Sequence, residues 1–190
     1  MTKRTGLIAV AAAGILWGLS EVFLGDVFYR FHIQMRAASL SAIGMMLLII
    51  SRYVSDRPGS SIAAALIAGA LRCLVPKLYI CHFLAIALEG CVFDASWTVL
   101  RAGHRSSLGR AWLSAVIATY VGFLAFGLLG AHAFGFGRWV EAGAGGILAW
   151  TLRSGTFASV LLVGLVPVSA FIARHLIRKW VAARTSSLHA

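Results

Sequence analysis

Five ionisable residues interrupt long apolar runs: Glu21, Arg36, Arg72, His82 and Glu89. A charge in hydrocarbon is costly, so such residues face a bundle interior or a water-filled cavity, where they pair with each other or mark a ligand path. Two carboxylates, two guanidinium groups and an imidazole form a set suited to a small polar or zwitterionic ligand. His82 and Glu89 are seven residues apart. On a helix that is two turns, which places both on one face. Lys77 follows Arg72 closely, and Arg153 stands before the last apolar run.

Two other readings of these residues stay open. Glu21 and Glu89 are able to pair with Arg36 and Arg72 as purely structural ties between helices, while Arg36 and Lys77 reach outward to headgroups. Alternatively, Cys81, His82, Glu89 and Cys91 offer thiolate, imidazole and carboxylate donors for a transition metal. Cys81 and His82 are adjacent and project about 100° apart on a helix, and Cys91 is nine residues beyond His82, so the four do not share a face. His82 and Glu89 are the best members of such a site. The chain has no GxSxG, Walker A or HExxH pattern, so no catalytic residue and no cofactor is expected. Ser20, beside Glu21, reads as helix packing rather than a nucleophile. His32 lies in an aromatic, basic outer loop from Asp26 to Arg36, placed to cap a pocket or to sit in the interface.

The elements that must position these groups follow from composition. Of 190 residues, 60% are hydrophobic and 12% charged, with a mean hydropathy of +0.88. A soluble domain of this size needs far more polar surface. The apolar runs predict an all-α, polytopic membrane bundle of about six transmembrane helices, in a single domain spanning residues 1–190. The spans are expected near Gly6 to Leu24, Ala37 to Ile50, Ser60 to Val75, Leu78 to Leu100, Trp112 to Phe134 and Thr156 to Ile177. The Gly- and Ala-rich stretch from Trp139 to Leu152 is expected to lie at the interface or to lengthen the sixth span. Pro58-Gly59 and Pro76 mark turns.

The formal net charge is +11. Because the basic residues punctuate apolar runs, they point to topology and anionic lipid, not to nucleic acid. Eleven of the 17 Lys and Arg fall on one side of the predicted spans: Lys3, Arg4, Arg52, Arg57, Arg101, Arg105, Arg110, Arg174, Arg178, Lys179 and Arg184. That side is expected to be cytoplasmic, with both termini inside and the chain in a cell (inner) membrane. Glu21, Arg36, Arg72, His82 and Glu89 then fall in the outer half. Cys73, Cys81 and Cys91 do not make a disulfide framework and, lying in or beside apolar stretches, read as small hydrophobes. On the first span Ala9, Ala13, Gly14 and Gly18 give small residues four apart, a spacing that lets helices approach closely, within the chain or toward another subunit.

The segment from Ile15 to Gly90 resembles the substrate-binding S-components of energy-coupling factor transporters. The resemblance rests on Trp17-Gly18-x-x-Glu21, Arg52, Pro58-Gly59, Lys77 and Ala85-Ile86-Ala87-Leu88-Glu89. It covers roughly residues 14–94, and the C-terminal half agrees only in hydrophobicity and length. It implies a six-helix membrane subunit that binds a vitamin, a precursor or a metal ion from outside. Its expected partners are a transmembrane coupling subunit and cytoplasmic ATPases, with Ala9 and Ala13 contacting the coupling subunit. None of the signatures for riboflavin, thiamin, biotin or cobalt is present, so the ligand stays open. The expected substrate-binding residues are Glu21, Arg36, Arg72, His82 and Glu89. The competing expectations are a membrane-embedded metal-binding protein or enzyme using His82 and Glu89, and a structural anchor subunit of a larger membrane complex.

Overall fold

The computed structural model describes residues 3–33, 35–74, 80–101 and 107–186. Lys77, Pro76, His104, Arg105 and His189 lie outside the described residues, as does the side chain of Cys81. Within them the chain is all-helical: α1 (Lys3–Arg30), α2 (Arg36–Ser55), α3 (Ser60–Arg72), α4 (Ile80–Leu100), α5 (Ser107–Leu128) and α6 (Gly137–Ser186), with a π-helical turn at Leu129–Ala133. Five of these helices are long and apolar enough to cross a membrane, which marks a multi-pass membrane protein. The sixth, α3, has 13 residues. At 1.5 Å per residue it reaches about 20 Å, short of the roughly 30 Å hydrocarbon layer.

The helices close a ring in the order α1, α2, α6, α5, α4, α3, each packed on its two neighbours, with lesser contacts from α2 across to α3 and α5. Lipid tails are as apolar as leucine, so helices associate through close packing, and small residues permit it. An added Cβ at Gly14 would lie 2.6 Å from the Ala64 carbonyl of α3, and one at Gly18 would lie 2.8 Å from Leu71. At Gly44 of α2 it would fall onto the ring of Trp17. Trp17 is fully buried there, with Met45, Leu48 and Ile49 around it and Phe93 and Trp97 from α4 completing the core. The opposite face of α1 turns Leu7, Ile8, Leu16 and Phe23 outward, as a lipid-facing surface requires.

A polar node ties three helices at the end of the ring that carries the α2–α3 connection. Asp94 of α4 accepts from the backbone N–H of Gly59 at 2.8 Å and of Ser61 at 3.3 Å. It thereby caps the first turn of α3, whose N–H groups have no partner within the helix. Arg52 of α2 lies 3.7 Å from the same carboxylate, with both side chains buried. It donates to Thr98 at 3.0 Å and to Ser60 at 3.4 Å. This corrects the expectation that Arg52 belongs to a cytoplasmic loop. The helix runs on to Ser55, and Asp94 supplies the countercharge that lets the guanidinium stay inside.

Other boundaries shift for identifiable reasons. Helix α1 continues to Arg30, where Asp26 and Arg30 form an i,i+4 ion pair of 2.8 Å, so the connection to α2 is shorter than the loop expected from Asp26 to Arg36. Within that connection His32 and Met35 take positive φ. The stretch from Trp139 to Leu152 extends the sixth span: α6 is one 50-residue element, kinked at Gly143. Gly143 has φ 59° and ψ −175°, a conformation open to glycine at no steric cost. Arg110, expected in a loop, lies in the first turn of α5 with its guanidinium 4.6 Å from the Trp97 ring centroid.

Removing one member of a buried ion pair leaves the other charge uncompensated, at a cost of about 3–5 kcal/mol. Asp94→Ala is therefore expected to lower the thermal midpoint sharply in a detergent-solubilised aggregation assay, while the double change Arg52→Met with Asp94→Leu recovers only the part due to the uncompensated charge, because the Gly59 and Ser61 N–H groups stay uncapped. Gly44→Ala forces a Cβ into Trp17 and is expected to cost about 1–3 kcal/mol through overpacking. In the same assay Gly164→Ala, which has open space beside it, should leave the midpoint within error of the parent.

Candidate functional site

At the opposite end of the ring, where α1 connects to α2, the six helices enclose a cavity of about 480 Å3. Glu21, Arg36, Arg72, His82 and Glu89 all line it. They come from four helices and are brought together by the ring. Glu21 lies on the last third of α1, Arg36 opens α2, Arg72 closes α3, and His82 and Glu89 occupy one face of α4.

Glu89 is the deepest ionisable group of the set, 6% exposed. Ser41 of α2 donates to its Oε1 at 3.0 Å. Its side chain lies flat on the backbone of α5 at Gly122, where an added Cβ would collide with the carboxylate. Glu21 is half-buried beside Trp17, within electrostatic reach of Arg72 and of Glu89. The Arg72 Nε is buried with no hydrogen-bond partner. Arg36 stands at the rim with its guanidinium 5.0 Å from the Tyr29 ring centroid, a cation–π contact. Among the described residues, salt bridges are formed by Asp26, Asp56 and Asp94, and none joins Glu21 or Glu89 to Arg36 or Arg72. The direct interhelical ties that the sequence left open are thus replaced by a shared space.

The other wall is aromatic. Phe123 and Phe126 of α5 and Trp150 of α6 line the cavity. Phe126 meets the His82 ring edge-on at 4.8 Å, and Phe123 meets Trp150 at 5.2 Å. Trp139 backs Trp150 at 4.7 Å. A rigid aromatic surface facing carboxylates and guanidinium groups is able to hold a flat or amphipathic molecule by its apolar face while hydrogen-bonding its edge. The volume falls within the roughly 300–1,000 Å3 typical of small-molecule sites.

Ser41, Gly122, Phe123, Phe126 and Trp150 were not singled out from sequence. The only sequence signal for them was the i,i+3 spacing of Phe123 and Phe126, which is common in membrane helices. Other candidates lie elsewhere. Arg153 is exposed on the outside of α6, and His32 is exposed, with Nδ1 3.1 Å from the Arg30 carbonyl. Ser20 donates to the Trp17 carbonyl at 2.7 Å, a local helix contact. Ala13 is 5% exposed and packs in the core; Ala9 is half-buried. His82 and Glu89 share the cavity, but no group of three His, Cys, Asp or Glu that would hold a metal occurs among the described residues.

Comparison with family models, with curated proteins and with solved structures returns no match to this chain.

The cavity end is testable without a ligand. In a background lacking Cys73, Cys81 and Cys91, Ala85→Cys on the cavity wall should react with a small, charged, membrane-impermeant thiol reagent. Ala118→Cys, in the core with no exposed surface, should not. An Ala85→Cys variant that stays as unlabelled as Ala118→Cys, read by mass shift, would mean that the reagent does not reach the cavity.

Proposed function

We propose that this chain is the small-molecule-binding membrane subunit of an energy-coupling factor type uptake transporter, seated in a cell (inner) membrane with both termini cytoplasmic. One observation carries the reading. Five costly polar residues, from four helices, meet in one cavity whose remaining wall is aromatic. A purely structural role calls for charges that satisfy one another, as Arg52 and Asp94 do. In the cavity, by contrast, Ser41 is the side-chain donor to Glu89, and among the described residues no salt bridge joins Glu21 or Glu89 to Arg36 or Arg72.

The mixed charge of the lining favours a ligand carrying both a hydrogen-bond donor or cation and an acceptor or anion. Glu89, fixed by Ser41 and Gly122, would take the donor or cationic end. Arg72, whose guanidinium belongs to the cavity lining, would take the acceptor. The aromatic wall would stack against the body of the molecule. The opening at the α1–α2 end, opposite the basic C-terminal tail, supports capture from outside under the charge rule. The chain carries no nucleotide-binding motif, so energy for transport would come from a transmembrane coupling subunit and its ATPases.

Co-purification of the tagged chain from its own host in mild detergent is expected to yield a second membrane protein and nucleotide-binding subunits. A retained small molecule, identified by mass spectrometry, is expected with them. Glu89→Gln should lose that molecule while keeping membrane insertion and the partners, and Gly122→Ala should lose it too. Recovery of the chain with neither ATPases nor any bound compound would refute the proposal. A metal removable by chelators would instead favour the reading built on His82 and Glu89.

A further inference from the structure

A second hollow lies at the far end of the bundle, between the first turn of α5 and the C-terminal part of α6. It has a volume of about 330 Å3 and is lined by Leu108, Pro167, Ala170, Phe171, Arg174, His175 and Arg178. The α6 residues among these follow the i, i+3, i+4, i+7 spacing that defines one helix face. The face changes character along its length. Pro167, Ala170 and Phe171 make it apolar, and Arg174, His175 and Arg178 make it basic, over about 16 Å of helix at 1.5 Å per residue. Phe171 and His175 stack at 6.4 Å with their planes 16° apart, forming one wall.

Charge decides what fits there. The chain's six acidic residues are Glu21, Asp26, Asp56, Glu89, Asp94 and Glu141. Three of them line the cavity at the other end, and Asp56 and Asp94 are paired with Arg101 and Arg52. Glu141 lies at the opposite end of α6, beyond the kink at Gly143, with roughly 30 residues or about 45 Å of helix between that kink and Arg174. Among the described residues, no acidic side chain forms a salt bridge with Arg174, Arg178 or Lys179. The first turn of α5 adds the positive end of a helix dipole beside Leu108. An apolar groove along a membrane-spanning helix that ends in two guanidinium groups matches a molecule with acyl chains and an anionic head.

We propose that this hollow is a binding site for an anionic phospholipid of the leaflet opposite the cavity mouth. Arg174 and Arg178 bind the phosphate. Pro167, Ala170, Phe171 and Leu108 contact the upper acyl chains. The site clamps α5 to α6 at the level where α6 leaves the bundle. It is independent of the ligand cavity.

The test uses the full chain purified in mild detergent, then stripped of lipid and re-supplied with phosphatidylglycerol or phosphatidylcholine. Native mass spectrometry and the thermal midpoint are the readouts. Phosphatidylglycerol is expected to remain bound and to raise the midpoint, phosphatidylcholine to do neither. Arg174→Gln with Arg178→Gln should reduce retained phosphatidylglycerol at least several-fold, while Arg153→Gln, an exposed arginine on the other end of α6, should not. High salt should release the lipid from the unmutated chain, which keeps the test decisive if the double variant aggregates. Equal binding of the two lipids, undiminished retention by the double variant, or the same stabilisation by inorganic phosphate alone would each overturn the proposal.

Discussion

A carboxylate buried in a helical bundle within hydrocarbon must find hydrogen-bond donors there, and the structure meets this demand in two different ways at its two ends. Asp94 is saturated: two backbone N–H groups and the Arg52 guanidinium surround it, and Thr98 and Ser60 take up the guanidinium in turn. The node is held by groups of the chain itself, with the buried Arg52 Nε left without a hydrogen-bond partner. Glu89 has a single side-chain donor, Ser41, and Glu21 shares its surroundings with Arg72 at longer range. Groups of the same chemical type thus serve as a fastener at one end and as a lining at the other. Partly satisfied polar networks in a dry interior are costly. Their persistence around a cavity of about 480 Å3 indicates that something polar, water or solute, completes them there.

The position of that cavity follows from where large and small residues fall on the helices. Around the middle and the Arg52 end, Trp17, Met45, Leu48, Phe93 and Trp97 fill the axis of the ring completely. The Trp17 indole occupies the space that Gly44 leaves, which draws α1 onto α2. One to two turns further toward the α1–α2 connection, the axial positions are Gly25, Ala37, Ser41, Ala85 and Gly122, too small to meet across the ring. Small axial residues thus leave a cup whose outer wall is made of larger side chains such as Phe123, Phe126 and Trp150. Gly122 is one of the small residues: it narrows α5 locally, and that narrowing makes room for the Glu89 carboxylate.

How far the sequence could be read follows from this arrangement. The helical class was legible because long apolar runs have few other structures open to them in lipid. The polar cluster was legible because the cost of a charge in an apolar run depends on the run, not on a partner. What was not legible depends on pairings distant in sequence. Arg52 resembles a loop residue until Asp94, on another helix, is placed beside it. Helix α1 runs past its apolar run to Arg30, through a polar last turn that carries the Asp26–Arg30 pair and that hydropathy does not register. Ser41 and Gly122 are ordinary membrane-helix residues whose importance comes only from lying against Glu89. The small residues of α1 announced a close approach without saying of what; the structure assigns Gly14 and Gly18 to α3 and buries Ala13 inside the chain.

The closed core also constrains how any solute could cross. Below the cavity the ring is sealed by fully buried aromatic and aliphatic side chains, and every helix is held by two neighbours. A molecule bound at Glu89 therefore has no path inward through the bundle as it stands. On the proposed function, inward release requires either that neighbouring helices separate or that the bundle changes its orientation in the membrane. The Arg52–Asp94 node resists the first route by tying α2, α3 and α4 together beneath the cup. Such a change must also weaken ligand binding, because a partner shifts an equilibrium only by the difference in its interactions with the two states. The rim offers a means: Arg36 and Arg72 sit at helix ends on α2 and α3, while Glu89 sits within α4. A modest displacement of those ends would part the cationic half of the site from its carboxylate half and lower affinity without unpacking the core.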